Sequence, residues 1–246
     1  MFDFDGTVAL VRAGWMPAML DMMMETLMPL GPDPAALRAE AEDYVARLTG
    51  KDTLFQMLAF VDHVRALGGS PAPAEEYRDE IFRRIAGRVA DRLNAVADGS
   101  KPPESILVPG VRPFLEALRA SGVAVYLASG TAHEHILYES GLLRISQYFD
   151  GIYGSAPTSL TKAELLDKLL SEGIAGEEIV AFGDGRVEIE VTKAVGGTAV
   201  GIATDEETCL TVDAKKRGWL IHAGADYIAP NFLRTAELLE VVAGIR

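Results

Sequence analysis

Residues 2–7 read Phe-Asp-Phe-Asp-Gly-Thr, and the rest of the chain is interpreted outward from them. Asp3 and Asp5 stand one residue apart, with a glycine and a hydroxyl following at once. An extended backbone would therefore carry both acids past a strand end towards one site. Carboxylate oxygens suit Mg²⁺, which keeps several waters and commonly shares its shell with substrate phosphates. An aspartate can also attack phosphorus, so that an aspartyl-phosphate splits one hard step into two easier ones. Taken alone, the hexapeptide reads equally well as an Asp-rich turn, because Asp, Gly and Thr are ordinary turn residues.

Length and composition set the frame. The chain has 246 residues, and at roughly 100 to 200 residues per domain this predicts one large domain, or one domain with a sizeable insertion. It is 49% hydrophobic and 24% charged, enough apolar material for a real core. A net charge of -13 argues against nucleic acid or an anionic membrane as partner, since both need a basic footprint. Cys209 is the single cysteine and cannot form an internal disulfide, which fits a reducing, cytoplasmic setting. The sequence shows neither a run of about 18 uncharged apolar residues nor a basic, apolar signal pattern at its start.

Residues 8–15 read as a short flap ending in Gly14 and Trp15. From Met16 to about Ala97 the sequence is rich in Ala, Glu, Arg, Leu and Met and has almost no strand signal. It is broken at Gly31-Pro32-Asp33-Pro34, Leu48-Thr49-Gly50 and Gly68-Gly69-Ser70-Pro71. Good helix formers between such breakers predict several helices. One of them, over 53–67, has Leu54, Met57, Leu58, Val61, Val64 and Leu67 at helical spacing. The methionines Met16, Met19, Met22, Met23, Met24 and Met28 are expected to fill a core, because Met packs adaptably. This block is expected to be an inserted helical domain, residues 15–97, rejoined by the hydrophilic stretch 98–104 to a parent domain of residues 1–14 and 98–246.

Beyond the joint the rhythm alternates. Pro113 and Gly122 bracket a helix carrying Phe114, Leu115 and Leu118. An apolar run over 123–128 ends at Ser129-Gly130-Thr131, a helix is expected over 161–171, and a run over 179–182 ends at Gly183-Asp184-Gly185. Further runs cover 198–203 and 227–229. Short β-branched runs alternating with helices predict an α/β fold with a doubly wound parallel sheet. Asp3, Asp5, Ser129 and Asp184 all fall at the carboxyl ends of candidate strands, where such sheets place their ligands.

Residues 2–7, Ser129-Gly130, Lys162 and Gly183-Asp184-Gly185-Arg186-Val187-Glu188, four motifs in that order, resemble the haloacid dehalogenase (HAD) superfamily. The likeness is greatest to its phosphatases with an α-helical cap, the phosphoglycolate phosphatase and β-phosphoglucomutase-like group. The resemblance covers nearly the whole chain and implies a Rossmann-like core with the 15–97 block as a cap. It also implies Asp3 as nucleophile and Mg²⁺ ligand, and Asp5 as general acid and base with its carbonyl on the metal. Ser129 and the Gly130 amide would bind the phosphoryl oxygens, Lys162 would neutralise nucleophile and phosphoryl group, and Asp184 and Glu188 would hold the metal. Phosphoryl transfer asks mainly for positioning and charge neutralisation, which explains those residue types.

Two departures stand out. Only Met1 and Phe2 precede Asp3, so the central strand is expected to be short, as in a truncated start or a piece of a longer chain. Glu188 stands where the family often has Asp; its longer arm is expected to reach a water in the metal shell. Arg47 and Lys51 in the inserted block are expected substrate contacts, His133 is placed near the mouth of the site, and Lys215, Lys216 and Arg217 read as a solvated helix face. The expected function is a Mg²⁺-dependent phosphatase acting on a small phosphorylated metabolite, with oligomeric state left open. The alternatives are a sugar-phosphate mutase of the same superfamily and a catalytically quiet binding or regulatory domain from a longer chain.

Overall fold

The computed structural model describes residues 1–31, 33–48 and 51–244. Five strands form its centre: β1 (Tyr126–Ala132), β2 (Gly151–Ser155), β3 (Val180–Gly183), β4 (Thr198–Ile202) and β5 (Tyr227–Ala229). All pair in parallel, β2 with β1 and β3 with β4 with β5. The start of the chain joins the two groups, because Phe2 bridges both Leu127 and Phe182. The Phe2 N–H donates to the Tyr126 carbonyl at 2.7 Å and the Asp3 N–H to the Phe182 carbonyl at 2.9 Å. The spatial order is therefore β2, β1, residues 1–3, β3, β4, β5. Short as it is, the first segment is bonded on both sides, and it delivers Asp3 at the middle of the sheet's carboxyl edge.

Helices cover both faces. Helices α5 (Val111–Ala120), α6 (His133–Leu142) and α10 (Thr235–Ala243) share a core with Phe2, Leu127, Phe182, Val200 and Ile202. Helices α7 (Lys162–Ser171), α8 (Arg186–Ala194) and α9 (Ala214–His222) pack on the side carrying Ala128, Ala181 and Ala199. Alternation with a period of two sends neighbours such as Ala181 and Phe182 to opposite faces. The bulky face gathers Phe2, Phe114, Phe182 and Phe232, with the Phe2 and Phe182 rings stacked 4.6 Å apart.

The strands depart from the sequence reading in two places. Strand β2 was not expected: Gly151-Ile-Tyr-Gly-Ser has no apolar run, and it forms because β1 offers it a paired edge. Strand β1 starts at Tyr126 rather than Val123 and continues past Ser129 to Ala132, with a register break between Ala128 and Ala132.

Helices α1 (Trp15–Leu27), α2 (Pro34–Leu48), α3 (Thr53–Ala66) and α4 (Ala74–Ala97) make the predicted helical block. The expected breakers at Pro32, Thr49 and Gly50 lie outside the described residues. The block has its own apolar core, including Met19, Met22, Met23, Met24, Leu27, Tyr44, Met57, Phe60, Val61 and Val64. Met28, expected in a core with the other methionines, is exposed, and so are Leu58 and Leu67, so the expected stripe over 53–67 is narrower than its spacing implied.

The stretch after Thr7 is not a free flap. Val8, Ala9, Leu10 and Val11 are buried, and they pair with the returning chain: Leu10 N–H donates to the Ile106 carbonyl and Val108 N–H to the Val8 carbonyl. Arg92 of α4 further clamps this link, donating to the carbonyls of Val11 and Ala13 at 2.9 Å each. No helix among the described residues is long and apolar enough to cross a membrane.

Candidate active site

Above the carboxyl edge of the sheet lies a cavity of about 960 Å³, open between the sheet and the helical block. Asp3, Asp5, Ser129, Gly130, Lys162 and Asp184 line its sheet side, so the structure brings six of the predicted residues to one place. Lys51 lines the opposite side, from the block. Arg47 does not reach it: its guanidinium is paired with Asp43 on the exposed face of α2, the ordinary (i, i+4) arrangement of a solvated helix.

Each functional side chain is placed by local structure. Gly6 adopts φ 76°, a left-handed turn, and an added Cβ there would sit 2.0 Å from Asp184 Oδ2. Glycine is thus required both for the turn after Asp5 and for the close approach of Asp184. Thr161 caps α7, accepting from the Glu164 N–H while Glu164 reaches back to the Thr161 N–H. This capping box fixes where α7 starts. It sets Lys162 as the first helical residue, with its ammonium 2.7 Å from Asp3 Oδ1 and in contact with Glu188 Oε1. Glu188 is fully buried in the first turn of α8.

Burial pushes the Asp3 carboxyl well above the usual carboxylate range; Lys162 opposes the rise, and Glu188 and Asp184 add to it. Burial likewise lifts Asp184 to about 6, against the pull of Lys216. For Lys162, burial disfavours the ammonium, yet Asp3 and Glu188 outweigh it and keep the group charged. The cluster thus sets Asp3, Asp184 and Glu188 against the buried ammonium groups of Lys162 and Lys216.

Several residues of the site were missed by the sequence reading. Thr131 donates to Asp5 Oδ2 at 2.8 Å, and Arg12 donates to Asp5 Oδ1 at 3.1 Å. Arg12 in turn makes a two-pronged pair with buried Glu139 of α6, at 2.6 and 2.8 Å. Asp5 is therefore held at both oxygens. No spacing rule marks Arg12, a lone cation after an apolar run. Lys216 corrects the expected solvated face: its side chain is 8% exposed against 67% for Lys215. It donates to Asp184 Oδ2 at 2.9 Å and to Glu206 Oε1 at 3.1 Å. The available signal was Asp213, which caps α9 through the Lys216 N–H and so fixes the helix start. His133 accepts from the Gly154 N–H and is not among the cavity-lining residues, whereas His135 is.

The donor set fits a hard cation. Glu188 Oε2 is buried without a hydrogen-bond partner, a costly state for an acid oxygen. The same residue's Oε1 is in contact with the Lys162 ammonium. Among the described residues no group of three or more Asp, Glu, His or Cys side chains is arranged to hold a metal ion, and the two lysines contact Asp3 Oδ1, Glu188 Oε1 and Asp184 Oδ2.

Comparison with known proteins agrees with this architecture. Residues 1–196 match the family profile described as haloacid dehalogenase-like hydrolase. A phosphoglycolate phosphatase of Pseudomonas fluorescens (strain Pf0-1) is 26% identical over 176 residues, a match covering 62% of this chain and 65% of that protein. The match thus spans just under two thirds of that relative's length. A protein of Haemophilus somnus 129PT described as a predicted phosphoglycolate phosphatase superposes with a TM-score of 0.57 at 18% identity, covering 98% of this chain and 95% of that one. A haloacid dehalogenase-like hydrolase of Streptococcus pneumoniae gives 0.57 at 20% identity, with coverage of 98% and 95%. At such identities the superpositions speak for the fold alone, while the profile match spans most of the sequence and contains Asp3, Asp5, Ser129, Lys162, Asp184 and Glu188. The chain belongs to the haloacid dehalogenase-like hydrolase family.

Proposed function

We propose that the protein is a Mg²⁺-dependent phosphatase that hydrolyses a small phosphorylated metabolite through an aspartyl-phosphate on Asp3. The observation that carries this reading is the buried Asp3–Lys162 pair at the cavity floor, with Asp5 held beside it at both oxygens. Lys162 engages Asp3 Oδ1, leaving Oδ2 as the attacking oxygen. That oxygen forms a bond to phosphorus as the ester P–O bond breaks, and protonated Asp5 gives its proton to the leaving alcohol oxygen. In the second step Asp5 takes a proton from water, the water oxygen bonds to phosphorus, and the Asp3–phosphorus bond breaks to release phosphate. Ser129, the Gly130 amide and Lys162 serve the phosphoryl oxygens. Asp3, Asp184, the Asp5 carbonyl and, directly or through water, Glu188 would hold Mg²⁺, which when bound supplies charge neutralisation for the phosphoryl group.

The helical block acts in this reading as a cap over the cavity, with Lys51 contributing to substrate choice. The block enters through Gly14 at φ 84°, a left-handed residue at the joint, and leaves near Gly99 at φ 77°. Closure would shut water out until the second step.

The test is phosphate release from a panel of phosphorylated metabolites, phosphoglycolate included, with Mg²⁺ and with EDTA. Metal-dependent release that disappears in Asp3→Asn is expected. Equal release by Asp3→Asn and wild type would refute the nucleophile assignment, and isomer interconversion without free phosphate would indicate a mutase.

A further inference from the structure

Lys216 has no part in the proposed reaction, yet it is one of two buried ammonium groups in the acidic cluster. It sits in the first turn of α9, with its start fixed by the Asp213 cap, and its Nζ donates to Asp184 Oδ2 at 2.9 Å. Its second partner is Glu206 Oε1, at 3.1 Å. Glu206 is itself anchored, because its Oε2 accepts from the Gly14 N–H at 2.8 Å, at the joint where the chain enters the helical block. An ammonium and a divalent cation that seek the same carboxylate oxygen exclude each other in two ways: they compete for the lone pairs, and their charges repel.

We propose that Lys216 is an internal cation that competes with the divalent ion for Asp184 and so weakens the ion's binding, Glu206 being the seat that keeps the ammonium paired when Asp184 turns to the ion. This rests on the reading of Asp184 as a metal ligand. It gives a reason for burying a lysine where the chemistry asks for none, and for Glu206 to stand beside it. The tie from Glu206 to Gly14 places the exchange next to the joint of the helical block.

The test is calorimetric titration of Mg²⁺, without substrate and at one fixed pH and ionic strength, into wild type, Lys216→Met, Glu206→Gln and Lys215→Met, each checked for folding by circular dichroism. Lys216→Met is expected to bind Mg²⁺ about tenfold more tightly or better, the lower end of what a neighbouring charge does to an ionisation. Glu206→Gln, which takes away the alternative seat, is expected to bind more weakly. Lys215→Met removes an equal charge from an exposed neighbour paired with Glu42 and should leave affinity unchanged. Unchanged or weaker binding by Lys216→Met overturns the proposal while leaving the metal site standing. So does an equal shift in Lys215→Met, which would make the effect one of net charge. Should Lys216→Met fail to fold, unchanged or tighter binding by Glu206→Gln overturns it instead. Absence of Mg²⁺ binding in every protein removes the metal reading of Asp184, and this proposal with it.

Discussion

Replacing Lys162 by Met deletes the ammonium that lies 2.7 Å from Asp3 and against Glu188, while keeping most of its apolar stem. At an effective dielectric of about 20, two unit charges at 2.7 Å attract by about 6 kcal/mol. Part of that is offset in the wild type by the cost of desolvating the ammonium, which the substitution relieves. Asp3 and Glu188 remain buried with their partner gone, and breaking such a pair costs about 3–5 kcal/mol. For a chain of this size each kcal/mol lowers Tm by about 2–4 °C, so a fall of about 6–20 °C is expected in metal-free buffer. Urea unfolding followed by circular dichroism gives the free energy, and the Asp3→Asn, Lys162→Met double variant should lose less than the two single losses combined. A loss below about 1 kcal/mol, the range of an exposed ion pair, would refute the reasoning. Strict additivity in the double variant would do the same.

Gly6→Ala is expected to abolish most phosphate release. It adds left-handed strain of about 1–2 kcal/mol and drives a methyl into Asp184, whereas Gly68→Ala, at φ 81° with nothing within 4 Å, incurs the strain alone and should keep its activity. Wild-type turnover in Gly6→Ala would show that the position of Asp184 does not matter. Phe182→Ala removes a ring stacked on Phe2 and should cost about 3–5 kcal/mol in urea unfolding, while exposed Phe82→Ala should change stability by no more than about 0.5 kcal/mol; equal losses would contradict the placement of the core. Burial raises the Glu139 carboxyl above its ordinary value despite Arg12, so the folded chain holds that proton more tightly than the unfolded one. Its contribution is full below the unfolded pKa and is lost as pH rises through the folded one. Wild type should therefore lose more stability than Glu139→Gln as pH rises from ordinary carboxylate values, and parallel profiles would show that this group is not shifted.

How much of this was legible depended on whether the determinant was local. Residues 2–7 and the run ending at Asp184 marked segment ends carrying acids, because period-two alternation and turn residues are written in consecutive positions; Ser129 did not mark an end, since β1 continues to Ala132. Pro and Gly breakers likewise outlined a helical block over 15–97, and Lys162 was singled out because motif order implied it. Other features depended on partners distant in sequence. Strand β2 exists because β1 pairs with it, and the supposed flap is buried because residues 106–108 return to bond it. Arg47 and Lys216 show the same limit from opposite sides, each a cation in a helix whose local partners, Asp43 and Asp213, place the helix without saying which side chain is buried. Burial of a charge is decided by acids that tertiary folding brings to it: Asp43 lies on the same exposed helix face, whereas Asp184 and Glu206 meet Lys216 only once the strand ends are assembled. The sequence by itself marked acids at segment ends and most of the alternation of elements; the tertiary structure decided that β2 forms and which charges are desolvated, because both require segments distant in sequence to come together and exclude water.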